Sequence, residues 1–234
     1  MNILFLLSFI LFAGHGFCDF IPLLQSMKIR SLSFYTWAIS LNIYIHLLSP
    51  SLSTLLFVII SGIHFSGDFY PKNEIKCPGL GLYIIGIPGL ISRYEYLTYL
   101  NFLEVEHSSI FLNVIIAGSL LSLIEPIFYL KNDKWLGTII MYTLLTCVFG
   151  VKSILVYMTF YHLPVSILEL SKKYNIQMVY NVWMLGTICC GIFLISMFYI
   201  ESFIEINKYK NIIIGSIFGL LNSHCLTTLV WRNI

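Results

Sequence analysis

The chain of 234 residues has very little charge. It contains 13 lysines and arginines and 11 aspartates and glutamates, so charged residues make up 10% of the sequence, against about 25% in soluble domains. Hydrophobic residues make up 58%, and the mean hydropathy is +0.87. So few charges cannot cover the surface of a soluble domain, and a disordered chain would be far less apolar. The net charge of +2 argues against a surface for nucleic acid.

Several motifs of soluble enzymes are also missing. The sequence has no glycine-rich phosphate loop, no Gly-x-Ser-x-Gly nucleophile motif and no basic stripe. The cysteines match neither a zinc-binding spacing nor a disulfide framework. Cys77 lies in a polar connection. The other five cysteines lie in apolar runs and are Cys18, Cys147, Cys189, Cys190 and Cys225. We interpret them as small apolar residues of membrane helices.

Long apolar runs take the place of these motifs. A membrane-spanning helix needs about 20 predominantly apolar residues. The runs cover residues 2–25, 33–49, 51–69, 79–92, 108–130, 135–163, 180–200 and 211–230. The sequence therefore predicts one integral membrane domain over residues 1–234, an all-α polytopic bundle of eight to nine transmembrane segments. The polar stretch from Ser92 to His107 predicts a surface loop or an interfacial helix.

The number of segments depends on the run 135–163, which is too long for one span. A break at Gly150, just before Lys152, divides it into 135–149 and 151–170. With nine segments and the N-terminus outside, nine lysines and arginines lie inside and four outside, which agrees with the positive-inside rule. The opening residues lack the basic segment of a secretory signal, so we expect a retained first helix.

Two histidines in these runs have an aspartate four residues later. The pairs are His15 with Asp19 and His64 with Asp68, and residues four apart share one face of a helix. An aspartate within the membrane costs about 2.5–3.5 kcal/mol on insertion scales, so its presence indicates a purpose. A carboxylate that accepts the second ring N–H of a metal-bound histidine fixes its orientation. We predict that Asp19 orients His15 and that Asp68 orients His64, with the alternative that an aspartate is itself a ligand.

The nine-segment arrangement places four histidines at a similar depth. His15, His64, His162 and His224 each lie about 17 to 20 Å from the outer side at 1.5 Å per residue. A common depth predicts a central metal site with these four ligands, whereas each histidine taken singly would be read as bonding a neighbouring helix. We interpret His46, which has no acidic partner, as structural, and His107, in the polar stretch, as a surface residue.

The segment from Gly79 to Gly89 is rich in helix breakers. Such backbone at membrane depth needs protein or a cavity around it. Two interpretations stay open, a lining for a substrate path and close helix packing through glycine.

With these residues the sequence resembles the Brp/Blh family of membrane β-carotene 15,15′-dioxygenases. The family's motifs occur in order along nearly the whole chain, and their counterparts here are His15-Gly16-Phe17-Cys18-Asp19, Ser61 through Asp68, Gly79 through Pro88, Phe160-Tyr161-His162 and Ser223-His224. The resemblance implies oxidative cleavage of the central double bond of β-carotene by O₂ to give two molecules of retinal. It implies Fe(II) held by the histidines, a hydrocarbon substrate met within the bilayer, and a retinal-using rhodopsin as acceptor of the product.

The sequence departs from the family pattern at three places. Val165 and Ser166 stand where the family usually has a second histidine, Ser223 replaces a proline, and Asp68 is one residue closer to His64 than is typical. Two alternatives therefore stay open beside the enzyme. One is a carotenoid- or retinal-binding membrane protein without turnover. The other is a metal or proton transporter that uses the His/Asp layer as its path.

Overall fold

The computed structural model of the chain describes residues 16–19, 21, 29–69, 79–124, 134–201 and 206–232. Over these ranges the backbone forms helices and turns and no β-strand, which confirms the predicted all-α fold. The elements are a 3₁₀ turn Gly16–Asp19, α1 Ile29–Leu48, α2 Pro50–Ser66, α3 Gly79–Ile91, α4 Arg93–Phe102, α5 Ser108–Leu121, α6 Lys134–Phe149, a 3₁₀ turn Gly150–Lys152, α7 Ser153–Tyr157, a π turn Met158–His162, α8 Leu163–Lys173, α9 Ile176–Glu201 and α10 Ile206–Arg232.

Local sequence signals set both ends of α2. The hydroxyl of Ser49 accepts a hydrogen bond from the Leu52 amide at 3.2 Å, and Pro50 follows it in the first turn, as is typical of a helix start. At the other end Gly67 donates its N–H to the carbonyls of His64 and Phe65. The helix therefore ends at Ser66, and Asp68 lies in the turn that follows.

Glycine allows α3 to pack closely on both of its neighbours. A Cβ atom at Gly81 would overlap the carbonyl oxygen of Gly62 on α2, and one at Gly86 would overlap the hydroxyl of Ser119 on α5. The Ser119 hydroxyl also donates to the Leu82 carbonyl at 2.8 Å. Small residues at such contacts let helix backbones approach each other. This geometry supports the packing interpretation of the glycine-rich segment.

The chain reverses direction at Gly150. This glycine has a φ of 58°, in the left-handed region that glycine adopts without steric cost. Beyond it, Ser153 Oγ lies 3.3 Å from the hydroxyl of Tyr142, and the rings of Tyr142 and Tyr157 lie 5.8 Å apart. A straight helix would separate those two tyrosines by about 22 Å. The predicted break at Gly150 is confirmed.

One helical stretch in the described ranges, Leu136–Lys173, is long and apolar enough to cross a membrane by length and composition, with a mean hydropathy of 2.0 in its most apolar window. The reversal at Gly150 divides this stretch into two antiparallel arms.

Helix α10 runs along α1 and also packs on α2. Asn222 of α10 donates a hydrogen bond to the side-chain oxygen of Asn42 on α1 at 2.6 Å, and both side chains are buried. His46 is buried in the same interface, edge-on to the ring of Phe218 at 5.7 Å. This packing brings the second half of α10 towards the end of α2.

The polar stretch from Ser92 to His107 contains a short helix and a turn. Helix α4 buries Tyr96 and Leu100 and exposes Tyr94 and Phe102. In the turn, Glu104 accepts hydrogen bonds from Asn211 and Lys210 of α10, which lower the pKa of its carboxyl group. His107 is exposed at the start of α5, as predicted.

Candidate metal centre

Three buried histidines from separate parts of the chain meet inside the bundle. His64 lies in the last turn of α2, His162 ends the π turn, and His224 lies in α10. Their exposed fractions are 1%, 0% and 4%. One ligand nitrogen from each lies within 4.8 Å of the others. The structure therefore brings together three of the four predicted ligands.

The fourth predicted ligand, His15, lies outside the described residues, as does the side chain of Asp19. The turn Gly16–Asp19, which begins one residue after His15, packs against α9 and α10. Within that turn Cys18 is buried, with its Sγ 4.0 Å from the carbonyl oxygen of Val179. The turn is thus held against the helix that carries His224.

Asp68 fixes the orientation of His162. Its Oδ2 lies 2.7 Å from Nδ1 of His162, and both side chains are fully buried. A neutral imidazole has one N–H and one lone pair. When Nδ1–H donates to Asp68, the lone pair of His162 therefore lies on Nε2. That nitrogen is 3.1 Å from Nε2 of His64.

The partner predicted for Asp68 needs correction. We expected the carboxylate to orient His64 across one helical turn, but the hydrogen bond shown here goes to His162. The prediction assumed that α2 continues through Asp68. Because α2 ends at Ser66, the four-residue helical spacing does not apply, and the turn directs the carboxylate to another helix.

His162 is presented by a π turn within a longer helical arm. The N–H of Leu163 donates to the carbonyl of Met158, five residues earlier. Pro164 follows directly, and it has no N–H to complete an α-helical bond with the Phe160 carbonyl. A proline is one of the recognised causes of such a distortion, and π turns are frequent at functional sites.

Two residues beside the histidines were not predicted as part of the site. The hydroxyl of Tyr157 donates to Oδ2 of Asp68 at 2.7 Å. Tyr157 lies five residues before His162, and residues five apart do not share a face of an α-helix. Helical periodicity in the sequence therefore gave no indication of its role. Ser166, noted above only as a departure from the family pattern, is buried with its Oγ 3.5 Å from Nε2 of His162.

Aromatic rings pack around these polar groups. The ring of Phe65 lies 5.1 Å from that of His162 and 5.5 Å from that of His64. Phe69 and Tyr157 each stack on Tyr161, at 5.8 and 5.4 Å. This apolar lining keeps bulk water away from the histidines, and electrostatic interactions are stronger in such surroundings.

The spacing of His64 and His162 fits two ligands of one metal ion, and His224 lies beside them with a ligand nitrogen within 4.8 Å of theirs. A metal–imidazole bond of about 2.1 Å places two ligand nitrogens about 3.0 Å apart at a right angle and about 3.4 Å apart in a tetrahedron. The 3.1 Å between the Nε2 atoms of His64 and His162 lies in this range. A carboxylate on the far nitrogen of a ligand histidine is the usual support of metal sites. The residues can therefore hold a metal, and imidazole suits zinc, copper, iron and nickel.

Comparison of the chain with protein-family models, with curated proteins and with solved structures gives no match. The resemblance to the Brp/Blh family therefore stays a prediction.

Proposed function

We propose that this chain is a multi-pass membrane enzyme that uses Fe(II) and O₂ to cleave the central double bond of β-carotene into two molecules of retinal. The observation that carries the proposal is the buried cluster of His64, His162 and His224, with Asp68 bonded to the far nitrogen of His162. These are the residues on which the family resemblance depends, and they come from separate parts of the chain.

The distribution of polar and apolar side chains supports a membrane location. Phe160 is 72% exposed, while His162, two residues later, is fully buried. Val148 and Met141 on α6 are likewise exposed. A chain with apolar groups outside and histidines inside is suited to a bilayer, where ionisable side chains face the interior of the bundle. We propose that several of the described helices span it.

The metal is proposed as Fe(II) with His64, His162 and His224 as ligands, and His15 as the fourth. The contact of the turn Gly16–Asp19 with α10 supports the inclusion of His15, and we propose that Asp19 orients it. Imidazole ligands accommodate iron. Ferrous iron, when bound, supplies the redox chemistry that makes O₂ reactive towards a hydrocarbon. Asp68 keeps a proton on Nδ1 of His162, and the surrounding rings exclude water.

The proposal predicts the colour of carotene-producing bacteria that express the chain. The wild-type protein bleaches the cells, and retinal appears in the extract. The His64→Ala variant leaves them orange, because a ligand is lost, whereas the matched variant His107→Ala, which changes an exposed histidine, bleaches them fully. Expression is compared on immunoblots. Unchanged carotene with well-expressed wild-type protein would contradict the proposal.

A second candidate is a carotenoid- or retinal-binding protein without turnover. Ser166 favours this candidate. Its buried hydroxyl lies 3.5 Å from Nε2 of His162, in the region where the family resemblance implies a second histidine, so this chain lacks that imidazole. This candidate predicts that intact carotenoid co-purifies with the wild-type protein and that no retinal forms. The same cells distinguish the two functions through pigment extraction from the purified protein.

A further inference from the structure

We propose that Tyr157 is a positioning residue of the metal centre, which acts on His162 through Asp68. The inference rests on the metal site of the proposed function and deepens it. Neither the sequence motifs nor the family resemblance includes this tyrosine.

The first observation is a carboxylate oxygen shared by two donors. Oδ2 of Asp68 accepts from the Tyr157 hydroxyl at 2.7 Å and lies 2.7 Å from Nδ1 of His162. The Asp68 side chain is fully buried, and Tyr157 is 4% exposed. A carboxylate held by two short bonds at one oxygen has less freedom to rotate, so the Tyr157 hydroxyl contributes to its direction towards His162.

The second observation is the π turn between Tyr157 and His162. In an α-helix five residues advance by about 500°, which would leave these two side chains some 140° apart around the axis. Here the bond from Leu163 N–H to the Met158 carbonyl widens the turn by one residue. Both side chains then reach the same oxygen of Asp68. The distortion thus places tyrosine and histidine together on one carboxylate.

The third observation is that the neighbouring Tyr142 bonds elsewhere. Tyr142, whose ring lies 5.8 Å from that of Tyr157, donates its hydroxyl to the carbonyl of Ile84 at 2.7 Å. It is equally buried, at 4% exposed. Tyr142→Phe is therefore a matched control. It removes a buried hydroxyl and its hydrogen bonding from the same cluster but leaves the bonds of Asp68 in place.

Titration of Co²⁺ into the full-length protein in detergent tests the inference. We expect Tyr157→Phe to weaken cobalt binding about tenfold, the lower end of the range for groups that support ligands, and to change the visible cobalt spectrum. Tyr142→Phe changes affinity by less than twofold and leaves the spectrum unaltered. In an Asp68→Ala background, Tyr157→Phe has no further effect, because the carboxylate through which it acts is gone.

Equal losses in the two phenylalanine variants, or a further tenfold loss in the Asp68→Ala background, would overturn the inference. A readout without metal separates it from the proposed function. In metal-free protein labelled with ¹⁵N-histidine, we expect a protected Nδ1–H resonance for His162 that exchanges faster in Tyr157→Phe but not in Tyr142→Phe. If the wild type binds no cobalt, the metal site fails. The resonance then still decides the role of Tyr157, and equal exchange in wild type and Tyr157→Phe refutes it.

Discussion

At the scale of single residues, the proposed ligands and the carboxylate of Asp68 were predictable, whereas the partner of Asp68 and the role of Tyr157 were not. A histidine in an apolar run stands out in the sequence, because an ionisable group within a membrane helix is costly. The partner of Asp68 was misassigned, since the end of α2 at Ser66 redirects the carboxylate to His162. Tyr157 carried no periodic signal, because a π turn sets its position. Helical spacing therefore found the proposed ligands and the carboxylate of Asp68, but it gave the wrong partner for that carboxylate and missed Tyr157.

Ser166 provides a prediction at this scale. Its Oγ lies 3.5 Å from Nε2 of His162, so a longer side chain there reaches the space between the ligands. We expect Ser166→His to destabilise the metal-free protein by about 1–3 kcal/mol through overpacking. With Co²⁺ present, we expect tighter binding than in the wild type, because an imidazole is added. Calorimetric titration and thermal unfolding measure both effects.

The matched control is Ser171→His, which places a histidine at a half-buried position in the last turns of the same helix, α8, five residues after Ser166. We expect the cobalt affinity of Ser171→His to equal that of the wild type. If folded Ser166→His protein bound cobalt no more tightly than Ser171→His, the described position of Ser166 beside the ligands would be wrong.

At the scale of helices, the glycine at the reversal of the chain was predictable, and the contacts of that reversal were not. Lys152 after Gly150 marked an interruption of an apolar run, and the structure breaks the helix there. The residues that contact the turn could not be predicted from the sequence, because they lie far away in the chain. They are Ser92 and, in α4, Glu95. Glu95 accepts a hydrogen bond from the Val151 N–H at 3.2 Å, which joins the turn to α4.

Replacement of Gly150 by alanine tests this account. Its φ of 58° disfavours any side chain, and a Cβ would lie 2.7 Å from both Glu95 Oε2 and Ser92 Oγ. We expect Gly150→Ala to lower the free energy of unfolding by about 1–3 kcal/mol. Thermal unfolding in detergent, followed by circular dichroism, measures the change.

Gly137→Ala is the matched control, because Gly137 lies in α6 with nothing within 4 Å of its Cβ position. There alanine stabilises the helix by about 0.5–1 kcal/mol. Equal stability of the two variants would mean that residue 150 does not adopt the left-handed conformation.

At the scale of the whole molecule, the sequence predicted an all-α fold and a central layer of histidines. The described residues are helical, and three of those histidines meet. Apolar runs predict individual helices well, because the formation of a helix depends on residues that are close in the sequence. The pairing of helices is not local. The packing of α10 on α1 and α2 depends on complementary surfaces, such as Asn42 against Asn222, which no single run reveals.

The central claim is that His64, His162 and His224 bind one metal ion. Metal analysis of the purified protein after anaerobic loading with Fe(II) tests it most directly. We expect about one iron per chain in the wild type and in His107→Ala. We expect loss of iron in His64→Ala, His162→Ala and His224→Ala, each shown to be folded by circular dichroism. Iron retained at wild-type levels in these three variants, or a wild type that binds none, would contradict the account.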